Sequence, residues 1–155
     1  MRDANTWFGN YAADHQNPTN RTIHWICVPA ITWCAVAFLW IVPVPQWLGR
    51  PGFFAVLAMF LAFVFYYFRL SRGIGLAMAA VFVAMSLITE VLYRVLGPAN
   101  LGWLALAVFV VAWIGQFVGH HIEGRRPSFF TDIQYLLIGP AWLMSKVFRR
   151  VGITY

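Results

Sequence analysis

The sequence predicts an all-α integral membrane protein with four transmembrane helices plus a C-terminal interfacial or re-entrant helical segment. Three observations predict it. First, 61% of the 155 residues are apolar and only 10% are charged, against about 25% charged in a soluble domain. Second, the apolar residues gather in four runs close to the roughly 20 residues that cross a bilayer core. Third, the basic residues collect on one side of those runs. Residues 1–155 read as a single membrane domain.

The N-terminal stretch, Met1 to Arg21, is polar and carries no cleavable leader pattern. The first apolar run covers residues 23–42 and stops at Pro43 and Pro45. The second covers 53–68 and is closed by Arg69, Ser71, Arg72 and Gly73. Gly73 and Gly75 read as a tight turn, and Tyr66 and Tyr67 with Arg69 as an interfacial belt. The third run covers 74–96 and ends at Gly97 and Pro98; the fourth covers 101–119. All four are apolar on every face, which excludes the alternation of a barrel strand and the polar stripe of a soluble helix.

Residues 128–148 differ. They mix Phe129, Phe130, Leu136, Leu137 and Trp142 with Asp132, Gln134 and a Gly139-Pro140 break. A fifth crossing would carry Arg149 and Arg150 to the wrong side. An interfacial or re-entrant helix pair, with Ser128 as N-cap, is expected instead.

Charge orients the chain. Four crossings put both termini on one side, together with Arg2, Arg21, Arg69, Arg72, Arg125, Arg126, Lys146, Arg149 and Arg150. Of the 11 basic residues these are nine, and only Arg50 and Arg94 remain for the other side. Basic residues favour the cytoplasmic face, so both termini are expected there. The net charge of +6 then has a membrane origin, and no nucleic-acid partner is expected. Cys27 and Cys34, seven residues apart on one helix, stand about 10 Å apart along the axis and cannot bridge.

Orientation used only Arg and Lys, yet all four histidines fall at the same face. His15 lies in the N-terminal segment, His24 at the mouth of the first run, and His120 and His121 at the end of the fourth. On a continuing helix His120 and Glu123 share a face, while His121 points about 100° away. His24 and His15 could add imidazoles to the same centre. Such a set suits one iron or zinc ion with open positions, whereas di-iron membrane enzymes use more histidines than four. A lone interfacial histidine commonly binds only water and headgroups; four on one face with an acid point to a metal.

The other polar residues carry plainer readings. Glu90 and Arg94 make an i, i+4 pair near the outer interface, about 24 Å from the start of the third run. Gln116, one turn before His120, can support a ligand or bond a neighbouring helix. Asp14 is a possible partner of the ligands, in a stretch with the turn and capping residues Asn17, Pro18 and Asn20. Arg125 and Arg126 can anchor the chain or hold a substrate carboxylate. Three other functions compete: a metal transporter, a non-catalytic scaffold, and a zinc-dependent lipid hydrolase. Transport wants polar ligands near the midplane, where this chain has almost none.

At these residues the chain becomes familiar. Tyr11 … His15-Gln16-Asn17-Pro18-Thr19-Asn20 … His24 … Val28-Pro29 resembles one signature of the yeast-type 2-hydroxy fatty acid dioxygenase family. Gln116-Phe117-Val118-Gly119-His120 … Glu123-Gly124-Arg125-Arg126-Pro127-Ser128, followed by Asp132 … Leu136-Leu137-Ile138-Gly139-Pro140, is similar to the second. The resemblance implies an Fe(II)-dependent membrane enzyme of fatty acid α-oxidation. It would convert a long-chain 2-hydroxy fatty acid and O₂ into the acid one carbon shorter. His15, His24, His120 and Glu123 carry over as catalytic residues and metal ligands; His121, next to His120, is a further candidate ligand that the family motif does not supply. Zn²⁺ could replace Fe²⁺ in a purified form. Asn17, Asn20, Arg125 and Arg126 would meet the substrate, with Gln116 and Asp14 supporting the ligands. The soluble tail of the eukaryotic member is missing, which implies a bacterial-type form at the inner membrane.

Overall fold

The structure, a computed structural model, describes residues 4–13, 15–124 and 129–154, with side chains at all of these except 4, 5, 10 and 129–136. All regular structure among the described residues is helical. Helix α1 spans Ala4–Ala13 and α2 spans Pro18–Trp40. After a 3₁₀ turn at Gln46–Leu48 comes α3, Phe53–Leu70. The stretch Arg72–Glu123 follows, and α6 closes the fold at Phe129–Arg150.

Arg72–Glu123 is two helices. Gly97 sits at φ 77° and ψ 166°, a region essentially closed to residues with a Cβ. Pro98 follows it and cannot supply an amide proton. The helices on either side, 72–96 (α4) and 98–123 (α5), both lie against α2. Trp33 donates to Thr89 Oγ1 at 3.1 Å while its neighbour Cys34 donates to the Ala105 carbonyl at 3.3 Å. On a straight helix residues 89 and 105 would stand about 24 Å apart. The chain therefore folds back at Gly97, and α2 packs along both arms.

Helix α2 starts where its caps dictate. The Asn17 side chain accepts from the Thr19 and Asn20 amides, and Pro18 fills the first helical position. Cys27 and Ile31 pack on Ala112, Ala37 on Leu101 and Ala105, and Val36 and Trp40 on Ala55. The small residues on α5 allow close approach of the two backbones. At the far end Trp40 donates to Glu90, which pairs with Arg94 at 2.6 Å. Both cysteines are free and buried.

Three expectations change, and the N-terminus adds an element. The polar N-terminus forms a helix, α1, which buries Phe8 and Tyr11 against α6. The turn before α4 is made by Ser71, whose extended backbone ends α3 and whose Oγ accepts from the Ile74 amide; Gly73 and Gly75 lie in the first turn of α4. Tyr67 is no interfacial residue. A π-turn at Phe63–Tyr67 adds one residue to the helical turn, and Tyr67 is buried and donates to the Leu137 carbonyl at 2.9 Å. Finally, α6 runs through Gly139-Pro140 as one helix rather than a pair, with Ile138, Ala141 and Trp142 buried beneath it. The proposed Ser128 cap lies outside the described residues.

Three stretches, Pro18–Trp40, Phe53–Leu70 and Arg72–Glu123, are long and apolar enough to cross a membrane. Their outward faces expose Val83, Leu87, Val91, Val111, Ile114 and Phe117. So large an apolar surface is foreign to a soluble monomer and fits association with a membrane.

Candidate metal centre

The three histidines meet because three separate elements end at one place. His15 follows α1, and its amide donates to the Ala12 carbonyl at 3.1 Å. His24 lies on the second turn of α2. His120 lies in the last turn of α5. Ligand nitrogens of His15, His24 and His120 all lie within 4.8 Å of one another. His15 and His24 are only 3% and 1% exposed, and His120 is half-buried.

Hydrogen bonds set the tautomers. Nδ1 of His15 is 2.6 Å from the Tyr11 carbonyl, and Nδ1 of His24 is 2.9 Å from the Asn20 carbonyl. A carbonyl only accepts, so each Nδ1 carries a proton, and each ring in its neutral form presents the Nε2 lone pair. The two Nε2 atoms face each other at 3.0 Å. Two neutral acceptors at that distance repel unless a cation sits between or beside them. The same separation fits two adjacent nitrogens on one ion with bonds of about 2.1 Å. A backbone carbonyl on the other ring nitrogen is the usual support of a metal-bound imidazole. The residues present therefore fit a metal ion.

Aromatic rings enclose the cluster. Tyr11 stacks on His15 with centroids 4.2 Å apart, and Trp142 lies 5.8 Å from the same ring. Trp142 carried no functional reading in the sequence. Its signal was the Gly139-Pro140 element two residues earlier.

Glu123 does not aim where helix periodicity placed it. Its Oε1 accepts from the Gln16 amide at 2.7 Å and the Asn17 amide at 3.1 Å. Its Oε2 accepts from the Asn17 amide at 3.0 Å and from Asn20 Nδ2 at 2.9 Å. The carboxylate thus caps the segment between His15 and α2, an N-terminal position where negative charge is favourable, and its lone pairs are occupied there. Asn17 is the N-cap of α2. Asn20 is fully buried; its Nδ2 goes to Glu123, and its Oδ1 has no hydrogen-bond partner and rests on Gly119. A Cβ at Gly119 would collide with that oxygen, so glycine there lets α5 approach α2. Gln116 is buried on α5 one turn before His120, whereas His121 is exposed and outside the converging group. Asp14, Arg125 and Arg126 lie outside the described residues.

Comparison with known proteins places the chain in a family. The family model described as "2-hydroxy-palmitic acid dioxygenase Mpo1-like" matches residues 1–151. The 2-hydroxy-palmitic acid dioxygenase MPO1 of Saccharomyces cerevisiae is 30% identical over 155 residues, which covers 98% of this chain and 83% of the yeast protein. No solved structure gives a significant match.

Proposed function

The chain belongs to the 2-hydroxy-palmitic acid dioxygenase Mpo1-like family, and from that premise we propose that it oxidises long-chain 2-hydroxy fatty acids with O₂. The observation that carries the reading is the convergence of His15, His24 and His120, with two Nε2 lone pairs held face to face. These three residues would hold Fe(II), with Zn²⁺ as a substitute in a purified form. Bound iron supplies the redox chemistry with oxygen. The overall change R–CHOH–COOH + O₂ → R–COOH + CO₂ + H₂O balances without an added reductant.

The chain's own residues prepare the site. The Tyr11 and Asn20 carbonyls orient the imidazoles and keep their Nε2 atoms unprotonated. Tyr11 and Trp142 exclude water from the His15 side. Glu123, through Gln16, Asn17 and Asn20, ties the end of α5 to the start of α2 and so fixes His120 relative to the other two rings. Asn17 and Asn20 act in this tie rather than on substrate, and Arg125 and Arg126 are the candidates for the substrate carboxylate.

Topology completes the reading. With the reversal at Gly97, α2, α3, α4 and α5 make four crossings, α6 lies on the cytoplasmic face, and both termini share that face of a bacterial inner membrane. Residues 1–155 then form one membrane domain. The substrate headgroup meets the histidines at the interface while its tail stays among lipids. Removal of one carbon from the head does not require reading the tail, so tolerance of chain length is expected. The test is elemental analysis of protein purified without oxygen, followed by O₂ uptake and product analysis with 2-hydroxypalmitate. Iron near one per chain and a 15-carbon acid are expected. Full zinc occupancy with no oxygen uptake even after iron reloading would sink the reading.

A further inference from the structure

Beside the histidines lies a second concavity, and it is built of cations. Arg21 and Trp25, from the first turns of α2, face Lys146, Arg149 and Arg150, from the last turns of α6, across a cleft of about 500 Å³. Trp142 also lines it. The Lys146 ammonium lies 5.1 Å from the Trp142 ring centroid, and the Arg150 guanidinium 5.7 Å from that of Trp25. No carboxylate lines the cleft among the described residues.

Four cations around one small volume repel each other. Burial, together with Arg149 and Arg21, pushes the Lys146 ammonium below the usual lysine range. Basic residues at a cytoplasmic membrane face are often loose anchors that touch any anionic lipid. Here, however, two helix ends from opposite parts of the chain bring their charges to one concave volume, and two indole rings wall it. Basic pockets of this kind between helices receive phosphate headgroups. A carboxylate brings a single negative charge to the cluster around Arg21, Lys146 and Arg150, whereas a phosphomonoester brings about two.

We propose that the cleft between the start of α2 and the end of α6 binds the phosphate headgroup of an anionic phospholipid, of the phosphatidic-acid class. The site is separate from the metal centre, because Trp142 lines the cleft on one side and lies 5.8 Å from the His15 ring on the other. Its occupant would join α6 to α2 and hold Trp142 against His15.

Calorimetric titration of the full chain in a neutral detergent tests this. The probes are dioctanoyl phosphatidic acid, dioctanoyl phosphatidylcholine, inorganic phosphate and 2-hydroxyoctanoate. Saturable binding of the phosphatidic acid is expected, at least about tenfold tighter than each other probe. Arg21→Gln with Lys146→Gln should weaken it about 30-fold, while Arg69→Gln with Arg72→Gln, equal in charge but outside the cleft, should change it less than about twofold. If the first pair fails to fold, Arg150→Gln alone should weaken binding about fivefold. Equal losses in both pairs would show unspecific charge and overturn the site. Equal affinity for inorganic phosphate would assign the cleft to a free ion, and tighter binding of 2-hydroxyoctanoate would assign it to the substrate acid; either overturns the phospholipid.

Discussion

The Nε2 atoms of His15 and His24 stand 3.0 Å apart, each with its lone pair turned toward the other by a backbone carbonyl on Nδ1. Packing alone gives no reason to bury two acceptors in this way. A shared cation, either a proton or a metal ion, does, and the third imidazole of His120 within 4.8 Å is what favours a metal.

The first prediction separates the histidines. His15→Ala, His24→Ala and His120→Ala should each lower iron content well below one per chain, by at least about tenfold at limiting metal. His121→Ala should leave it unchanged, since that side chain is exposed and outside the cluster. Metal analysis of the four purified variants checks both halves. Full iron in any of the first three removes that residue from the ligand set.

Glu123→Gln tests whether the acid is a ligand or a tie. The substitution keeps the shape but loses the carboxylate that accepts from two amides and Asn20. Hydrogen bonds to a charged acceptor are worth about 1.5–3 kcal/mol each at most, so a lower melting temperature is expected. Metal affinity should fall by about 10- to 100-fold, the range for groups that orient ligands, yet reach full stoichiometry at saturating iron. A fixed deficit at saturation would instead put the carboxylate on the metal.

Gly119→Ala changes no ligand and no charge. Its Cβ would meet Asn20 Oδ1, forcing α5 away from α2. A loss of about 1–3 kcal/mol is expected from such overpacking, with weaker iron binding. Denaturation in detergent, read with and without iron, measures it. Wild-type stability and affinity together would show that the approach of the two helices is not tight.

Much of this was legible in the sequence because a bilayer leaves few options. An apolar run of about 20 residues has to satisfy its backbone internally and so becomes a helix. Gly97-Pro98 could be read as a break for the same reason that it is one: only glycine adopts that backbone. The histidines stood out because so little else in the chain is polar. Three things stayed hidden. Periodicity gave the side of α5 on which Glu123 lies, but the amides that capture it belong to the start of α2, 106 residues away from Glu123 at Asn17. The π-turn that swings Tyr67 inward leaves no mark on hydropathy. Helix α1 is short, and it forms because Phe8 and Tyr11 find α6, a contact no local pattern reveals.

The centre is assembled from the two ends of the chain: His15 and His24 precede the bulk of the fold, and His120 follows it. Between His24 and His120 lie 96 steps of synthesis, roughly 5–20 s at about 5–20 residues per second. Until α5 is inserted, a nascent chain holds only two imidazoles and lacks the Glu123 tie. On the proposed reading, metal capture would therefore wait for α5. A translation product interrupted before His120 would lack the third imidazole, so on the proposed reading it could not assemble the full ligand set.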